Sequence, residues 1–270
     1  MRLPGGRLLL VADQGFGDMM QFARFIPAVV KRVGEVVVGW GPEVVALLGS
    51  FPGVAAAYNR FNDIPPYEAY CLMSSLPGLL GVELDTIPAP IPYFHADAEK
   101  VRQWWARLDG LTRPGRLRVG LAWSGRGTHP NNGRRSLSLA QLAPVTAVQG
   151  VDFVTLQKPI PDSDRPVMAT LPQLLDVSAG LGDFSDTAAL IAAVDLVVAV
   201  DTSVVHLAGA LGRPTWVLIP KPADWRWLHD RTDSPWYPTL RLFRQQVSHA
   251  WEPVIAETAA ALSALVAERG

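Results

Sequence analysis

The residues of this 270-residue chain with the types and spacing for chemistry begin with Asp201-Thr202-Ser203, followed three positions later by His206. They lie between two apolar runs, 196–200 and 215–219, whose length and Val, Ile and Trp content predict strands. Val204, Leu207, Ala208 and Leu211 between the runs have helical spacing. Asp, Thr and Ser cap helices, so the helix starts where the first strand ends, and Gly212-Arg213-Pro214 stops it. At the carboxyl edge of a parallel sheet such a helix turns free N–H groups and its positive dipole end outward, which favours a phosphate. His206 is close enough to the same turn to reach a phosphate oxygen. The bland alternative is an ordinary cap followed by a core histidine.

A second concentration is the loop SGRGTHPNNGRRS, 124–136, after a predicted strand at 117–123. Arg126, His129, Arg134 and Arg135 place positive charge at that strand's carboxyl end, although a solvated loop has the same composition. A third is Gln14-Gly15-Phe16-Gly17-Asp18 after a strand at 7–12. Gly15-x-Gly17 is half of a dinucleotide fingerprint, but Met20 stands at the third glycine position. The second strand ends in Gly39-Trp40 without an acid, so nicotinamide and flavin are disfavoured. The phosphate-loop pattern Gly-x-x-x-x-Gly-Lys-Ser/Thr is absent. Asp18 is placed to cap a helix at Met19, and Trp225, Trp227 and Trp236 are placed to pack or to line a cleft.

The elements that would position these residues alternate strand and helix throughout. The pattern predicts helices at 19–31, 43–48, 74–80, 97–108, 139–148, 188–194 and from 253 to about 268. Further strands are expected at 36–40, 54–58, 67–72, 151–156, 174–177 and 240–243. Ile87-Pro88-Ala89-Pro90-Ile91-Pro92 is forced to be extended and is read as the end of the first sheet and the start of a crossing. Thr112-Arg113-Pro114-Gly115 marks a boundary. The expected division is an acceptor-side Rossmann-like domain, 1–112, and a nucleotide-sugar-binding Rossmann-like domain, 113–252. A C-terminal helix, 253–270, has the option of packing back on the first domain.

Composition narrows the class. The chain is 49% hydrophobic and 18% charged, with a formal net charge of -1, so it reads as soluble and globular and nucleic acid is a poor partner. Cys71, the single cysteine, leaves no internal disulfide and fits a reducing, cytoplasmic setting. The first apolar run meets Asp13 and a glycine turn, so it reads as a strand rather than a signal peptide. No apolar segment approaches the roughly 18–20 residues needed to cross a bilayer.

Gln14-Gly15-Phe16-Gly17-Asp18, Val119-Gly120-Leu121-Ala122-Trp123, Arg134-Arg135-Ser136, Asp201-Thr202-Ser203-Val204-Val205-His206 and Asp224-Trp225-Arg226-Trp227 together resemble a bacterial glycosyltransferase domain of the type attached to tetratricopeptide repeats. That domain is similar to ADP-heptose:lipopolysaccharide heptosyltransferases and, more distantly, to O-linked GlcNAc transferase. The resemblance covers nearly the whole chain. It implies an α/β GT-B fold, two Rossmann-like domains with parallel sheets facing across a cleft. It also implies metal-independent, inverting sugar transfer from a nucleotide-diphosphate sugar to an acceptor glycan or protein, with no further cofactor and with a tetratricopeptide segment as a partner.

By motif, Asp18 takes the place of the general base. Arg135, Asp186, Thr187, Asp201, Thr202, Ser203 and His206 take the donor-binding positions. Gly15, Gly17, Gln21, Trp123, Ser124, Gln157, Lys158, Asp224 and Trp225 are expected to line the cleft. Ser203 replaces the glycine usual in heptosyltransferases, which argues against heptose as the sugar, and the first domain is short beside theirs. Two other activities fit the same fold: a non-catalytic nucleotide- or partner-binding module, and a nucleotide-sugar epimerase.

Overall fold

The computed structural model describes residues 3–49, 51–88, 90–127 and 131–269. His129 and Ala89 lie outside the described residues. The first half contains β1 (Leu3–Val11), α1 (Phe16–Phe22), α2 (Ile26–Val30), β2 (Val33–Gly39), α3 (Pro42–Gly49), β3 (Ala56–Tyr58), β4 (Ala69–Leu72) and α4 (Leu76–Leu80). After α5 (Ala98–Asp109) come β5 (Leu117–Ala122), α6 (Asn132–Arg135), α7 (Ala143–Thr146), β6 (Val151–Thr155), α8 (Arg165–Met168) and β7 (Leu174–Leu175). The chain then runs through α9 (Phe184–Ala192), β8 (Leu196–Val200), α10 (Ser203–Ala210), β9 (Thr215–Ile219), β10 (Leu240–Arg244) and α11 (Glu252–Arg269).

The strands form two parallel sheets, ordered β3-β2-β1-β4 and β10-β9-β8-β5-β6-β7. In both, the chain starts at an inner strand, winds outward to one side, and returns to the other side of that strand. The winding direction therefore reverses between β1 and β4 and between β5 and β8. At such a reversal the connections leave in opposite directions and open a crevice at the carboxyl ends, where α/β sheets bind ligands. Asp13 sits at the first reversal and accepts from Ser74 Oγ at 2.5 Å and Ser74 N at 3.2 Å. Asp201-Thr202-Ser203 and Ser124 sit at the second.

The strands of the second sheet are apolar on both faces because both are covered. Val197, Ala199, Val217 and Ile219 join a core that continues into the first half, through Leu8, Leu10, Met20 and Phe25. Leu196, Val198, Val200 and Leu218 face the other way, beneath Val145 of α7 and Val254, Ile255 and Leu262 of α11. The C-terminal helix therefore packs on the second sheet and not back on the first half. It lies against β10 and beside α7.

Prolines explain where expected helices shrink. The helix expected at 19–31 is interrupted by a 3-10 turn, Ala23–Phe25, before α2 restarts with Pro27 in its first turn. Pro77 of α4 and Pro144 of α7 do the same, cutting the helices expected at 74–80 and 139–148 to 5 and 4 residues. A proline ring clashes with the carbonyl four residues back, so it is accepted only where a helix begins. Among the described residues of 87–92 none lies in a strand. The segment leads instead to Tyr93 and Phe94, whose N–H groups both donate to the Ala210 carbonyl at the end of α10, at 3.0 and 3.3 Å.

Candidate active site in the cleft between the sheets

The two crevices open into one cleft of about 900 Å³. From the first half it receives Gln14 to Asp18 and Glu43; from the second it receives the loops after β5, β6, β8 and β9 and the start of α9. The halves meet where α1 packs on α10. A Cβ on Gly17 would lie 2.6 Å from His206 Cδ2, so glycine is what lets the helices come this close. Gly17 thus serves the approach of the two helices.

Asp18 is the third residue of α1. One carboxylate oxygen accepts from Gly15 N–H at 3.1 Å, closing the helix start, and the other accepts from Arg226 Nη2 at 2.5 Å. Capping and facing the cleft are therefore combined in one side chain. Arg226, from the loop after β9, also binds Asp224 at 2.7 Å, Gln21 Oε1 at 3.1 Å and His206 Nε2 at 3.3 Å. Burial works against its charge, but Asp18 and Asp224 outweigh that and raise the guanidinium above its ordinary value. Arg226 is thereby a charged bolt joining both halves at the base of the cleft.

His206 is 2% exposed, stacked on Trp227 with ring centroids 5.5 Å apart. Burial, then the charges of Arg226 and Arg24, push its pKa well below 6.5, so the ring is neutral. A guanidinium only donates, so Nε2 accepts from Arg226 and Nδ1 carries the proton toward the Tyr237 hydroxyl at 3.0 Å. Both ring nitrogens are engaged inside the protein, and the expected reach of His206 to a phosphate oxygen is corrected on that ground. The ring lines the cleft and holds Arg226 in place.

On the opposite wall, Thr202 precedes the first turn of α10 and makes no side-chain cap bond. Its Oγ1 is buried and without a hydrogen-bond partner, as is Nε of Arg135. Burial pulls the Arg135 guanidinium below its ordinary value, with Asp201 opposing, and Asp201 itself is raised by burial against the attraction of Arg226. The unfilled Thr202 hydroxyl and the unfilled Arg135 nitrogen belong to residues that line this corner of the cleft together with Ser203 and Val204 at the start of α10. Leaving buried polar atoms unpaired costs about 1–3 kcal/mol each, and an oxyanion placed there would relieve it.

Ser203, Ser124, Thr187, Gly15, Lys158 and Asp224 also line the cleft. Gln157 lines it but is committed: its Oε1 accepts from Trp123 N and Ser124 N at 3.1 and 2.9 Å, fixing the loop after β5. Four expected residues do not line the cleft. Trp123 is fully buried and donates to Asp164 at 2.7 Å, because it directly follows β5, a strand that is apolar on both faces. Asp186 accepts from Gly182 N–H and Asp183 N–H at the start of α9 and binds Lys100 at 2.6 Å, which draws it away from the cleft. Its carboxyl is lowered because these bonds outweigh burial. Gln21 is buried behind Arg226, and Trp225 is exposed against the edge of Trp236.

Arg226 and Arg126 carry more of the site than the sequence alone shows. Arg126 lies over the Phe16 ring at 5.3 Å, and Phe16 meets Phe184 edge-on at 5.0 Å, so three side chains bridge the cleft rim. Two clues preceded the structure: Arg126 stands in the basic loop, and Arg226 is the charged residue of Asp224-Trp225-Arg226-Trp227.

Residues 175–219, which include β8, α10 and β9, match the family described as Glycosyltransferase family 9 (heptosyltransferase). The chain is 29% identical over 287 residues to Protein FlbA of Caulobacter vibrioides, covering 96% of this chain and 47% of that protein. It thus spans about half the length of the curated relative that it matches. A solved structure of a family 9 glycosyl transferase from Veillonella parvula superimposes with a TM-score of 0.67 at 14% identity, covering 99% of both chains. For E. coli ADP-heptose lps heptosyltransferase II the TM-score is 0.64 at 15% identity, over 97% of this chain and 99% of that one. E. coli heptosyltransferase WaaC with ADP-2-deoxy-2-fluoro heptose gives 0.58 at 11%, over 98% and 100%. The chain has the GT-B-like α/β fold of these glycosyltransferases, and its segment 175–219 carries the family 9 sequence pattern.

Proposed function

We propose that this chain transfers a sugar from a nucleoside-diphosphate donor to an acceptor hydroxyl, by a metal-independent, inverting displacement. The observation that carries the reading is the corner of the cleft where Thr202 Oγ1 and Arg135 Nε are buried and unpaired beside the start of α10, with Asp18 on the facing wall. Asp18 accepts the acceptor's proton as its oxygen attacks the anomeric carbon from the face opposite the diphosphate. The α10 amides, Thr202 and Arg135 take up the charge that develops on the leaving phosphate. Arg226 fixes Asp18 in position through the bond to Oδ1. Known relatives in fold include structures solved with ADP and an ADP-heptose analogue, which makes an ADP-sugar the first donor to try. The acceptor is a glycan or protein. A tetratricopeptide segment outside this chain is a proposed partner for choosing it, since the chain spans 47% of its curated relative.

One observation favours a second reading. Both oxygens of Asp18 are already engaged, one as a cap and one by Arg226, which suits a module that binds the nucleotide without turning it over. A thermal-shift panel of ADP, UDP, GDP, CMP and their sugar conjugates tests the shared binding step. A ligand at about 100 times its dissociation constant adds roughly 2.7 kcal/mol to stability. One nucleotide is expected to stabilise the wild type and to lose most of that effect in Thr202→Val and Arg135→Gln. Equal shifts in all three proteins, or none with any nucleotide, would remove the donor corner from the account.

A further inference from the structure

We infer that the rear of the second sheet carries a separate site for a phosphate-bearing anion. A cavity of about 430 Å³ opens at the amino-terminal edge of β5, β8 and β9, the end remote from the cleft. Arg113, Arg116, Arg118, Arg213 and Arg269 line it, with Asp195 the one carboxylate among its described lining residues and Trp105 of α5 as a half-exposed wall.

The acids nearby are already committed. Asp152 accepts from Arg113 N–H at 2.7 Å and lies 3.1 Å from Arg116 Nε; Asp195 accepts from Arg118 N–H at 2.8 Å and lies 3.4 Å from Arg269. Arg118 is paired with Asp109. Arg213 donates from Nη2 to the Val194 carbonyl, and its buried Nε has no hydrogen-bond partner. The Arg113 side chain is largely exposed, with Nε 3.8 Å from Asp152. Five guanidiniums thus meet three carboxylates, Asp109, Asp152 and Asp195, in a chain whose overall balance is -1.

Geometry selects the kind of anion. The forks arrive from the start of β5, from the turn before β9 and from the end of α11. A carboxylate is planar and matches one fork, whereas a tetrahedral phosphate offers lone pairs in several planes and can be shared among them. The volume admits more than one phosphate group, so a diphosphate or triphosphate is the class of ligand. This site stands independently of the transfer reading.

The test titrates inorganic pyrophosphate by calorimetry into the full chain. The wild type is compared with the double variant Arg113→Gln/Arg269→Gln, both exposed positions, and with Arg135→Gln in the cleft. The wild type is expected to bind at two sites. The double variant should weaken the rear one by about tenfold or more, the scale of a lost charged hydrogen bond. Arg135→Gln should retain that site and weaken the other. A single wild-type site lost only in the double variant also supports the rear cavity and counts against the donor corner. Identical titrations of wild type and double variant overturn the proposal, as does a single site lost only in Arg135→Gln, which leaves the donor corner standing.

Discussion

The Arg226 guanidinium touches Asp18, Asp224, Gln21 and His206, and each contact limits what its neighbour can do. His206 is the clearest case, because a cation on one nitrogen and burial around the other keep the ring neutral. In the unfolded chain the same ring titrates near 6.5. Below that pH the unfolded state takes up a proton that the folded state refuses, so this histidine's contribution to stability falls as pH drops. Melting curves between pH 7.5 and 5.5 should show that loss in the wild type and a smaller one in His206→Asn. At pH 7.5 the variant should be less stable by about 1–3 kcal/mol, from the broken Tyr237 and Arg226 contacts. A loss of the same size on acidification in both proteins would contradict a neutral His206. The helix start at Asp201-Thr202-Ser203 was legible in the sequence because the change from strand to helix is marked locally, although the Thr202 side chain makes no cap bond there. Arg226 was not, since its partners Asp18 and Gln21 lie 208 and 205 positions away and no local pattern marks a contact of that span.

Between elements, the decisive contact is α1 against α10. It brings the turn that carries Asp18 to the wall that carries Thr202, and Gly17 sets its distance. Gly17→Ala places a methyl group 2.6 Å from His206 Cδ2, so either the helix or the ring must move. Urea unfolding should show a loss of about 1–3 kcal/mol, the usual cost of an overpacked site. Stability equal to the wild type would mean that the contact has slack. Strand positions were legible because both-face burial writes continuous apolar runs, as in Leu196–Val200 and Thr215–Ile219. Helix lengths were not, because apolar spacing persists through Pro27, Pro77 and Pro144 while the backbone hydrogen bonds do not. Trp123 shows the same limit at a site: sequence places it beside the basic loop, and only the alternation of β5 turns it inward to Asp164.

For the whole molecule, the two halves share one apolar core and a charged bolt, and the cleft exists only while both hold. Arg226→Ala leaves Asp18 and Asp224 facing each other without their cation. A cost of about 3 kcal/mol is expected, at the low end for a broken buried pair because both carboxylates keep some contact with water. Denaturation followed by tryptophan fluorescence and by far-ultraviolet circular dichroism should coincide in the wild type and separate in the variant as the halves uncouple. Coincident curves in both would assign the coupling to the apolar core alone. Among the described residues no helix is long and apolar enough to cross a membrane. The proposed transfer of a sugar off a nucleoside diphosphate is tested by the rate of nucleoside diphosphate release from ADP-, GDP- and UDP-sugars, with glycan and protein acceptors, in the wild type and Asp18→Asn. One donor should be turned over, about 10²- to 10⁴-fold more slowly in the variant, with its binding almost unchanged. Equal rates in the two proteins, or tight binding of a donor that is never consumed, would overturn the proposed transfer.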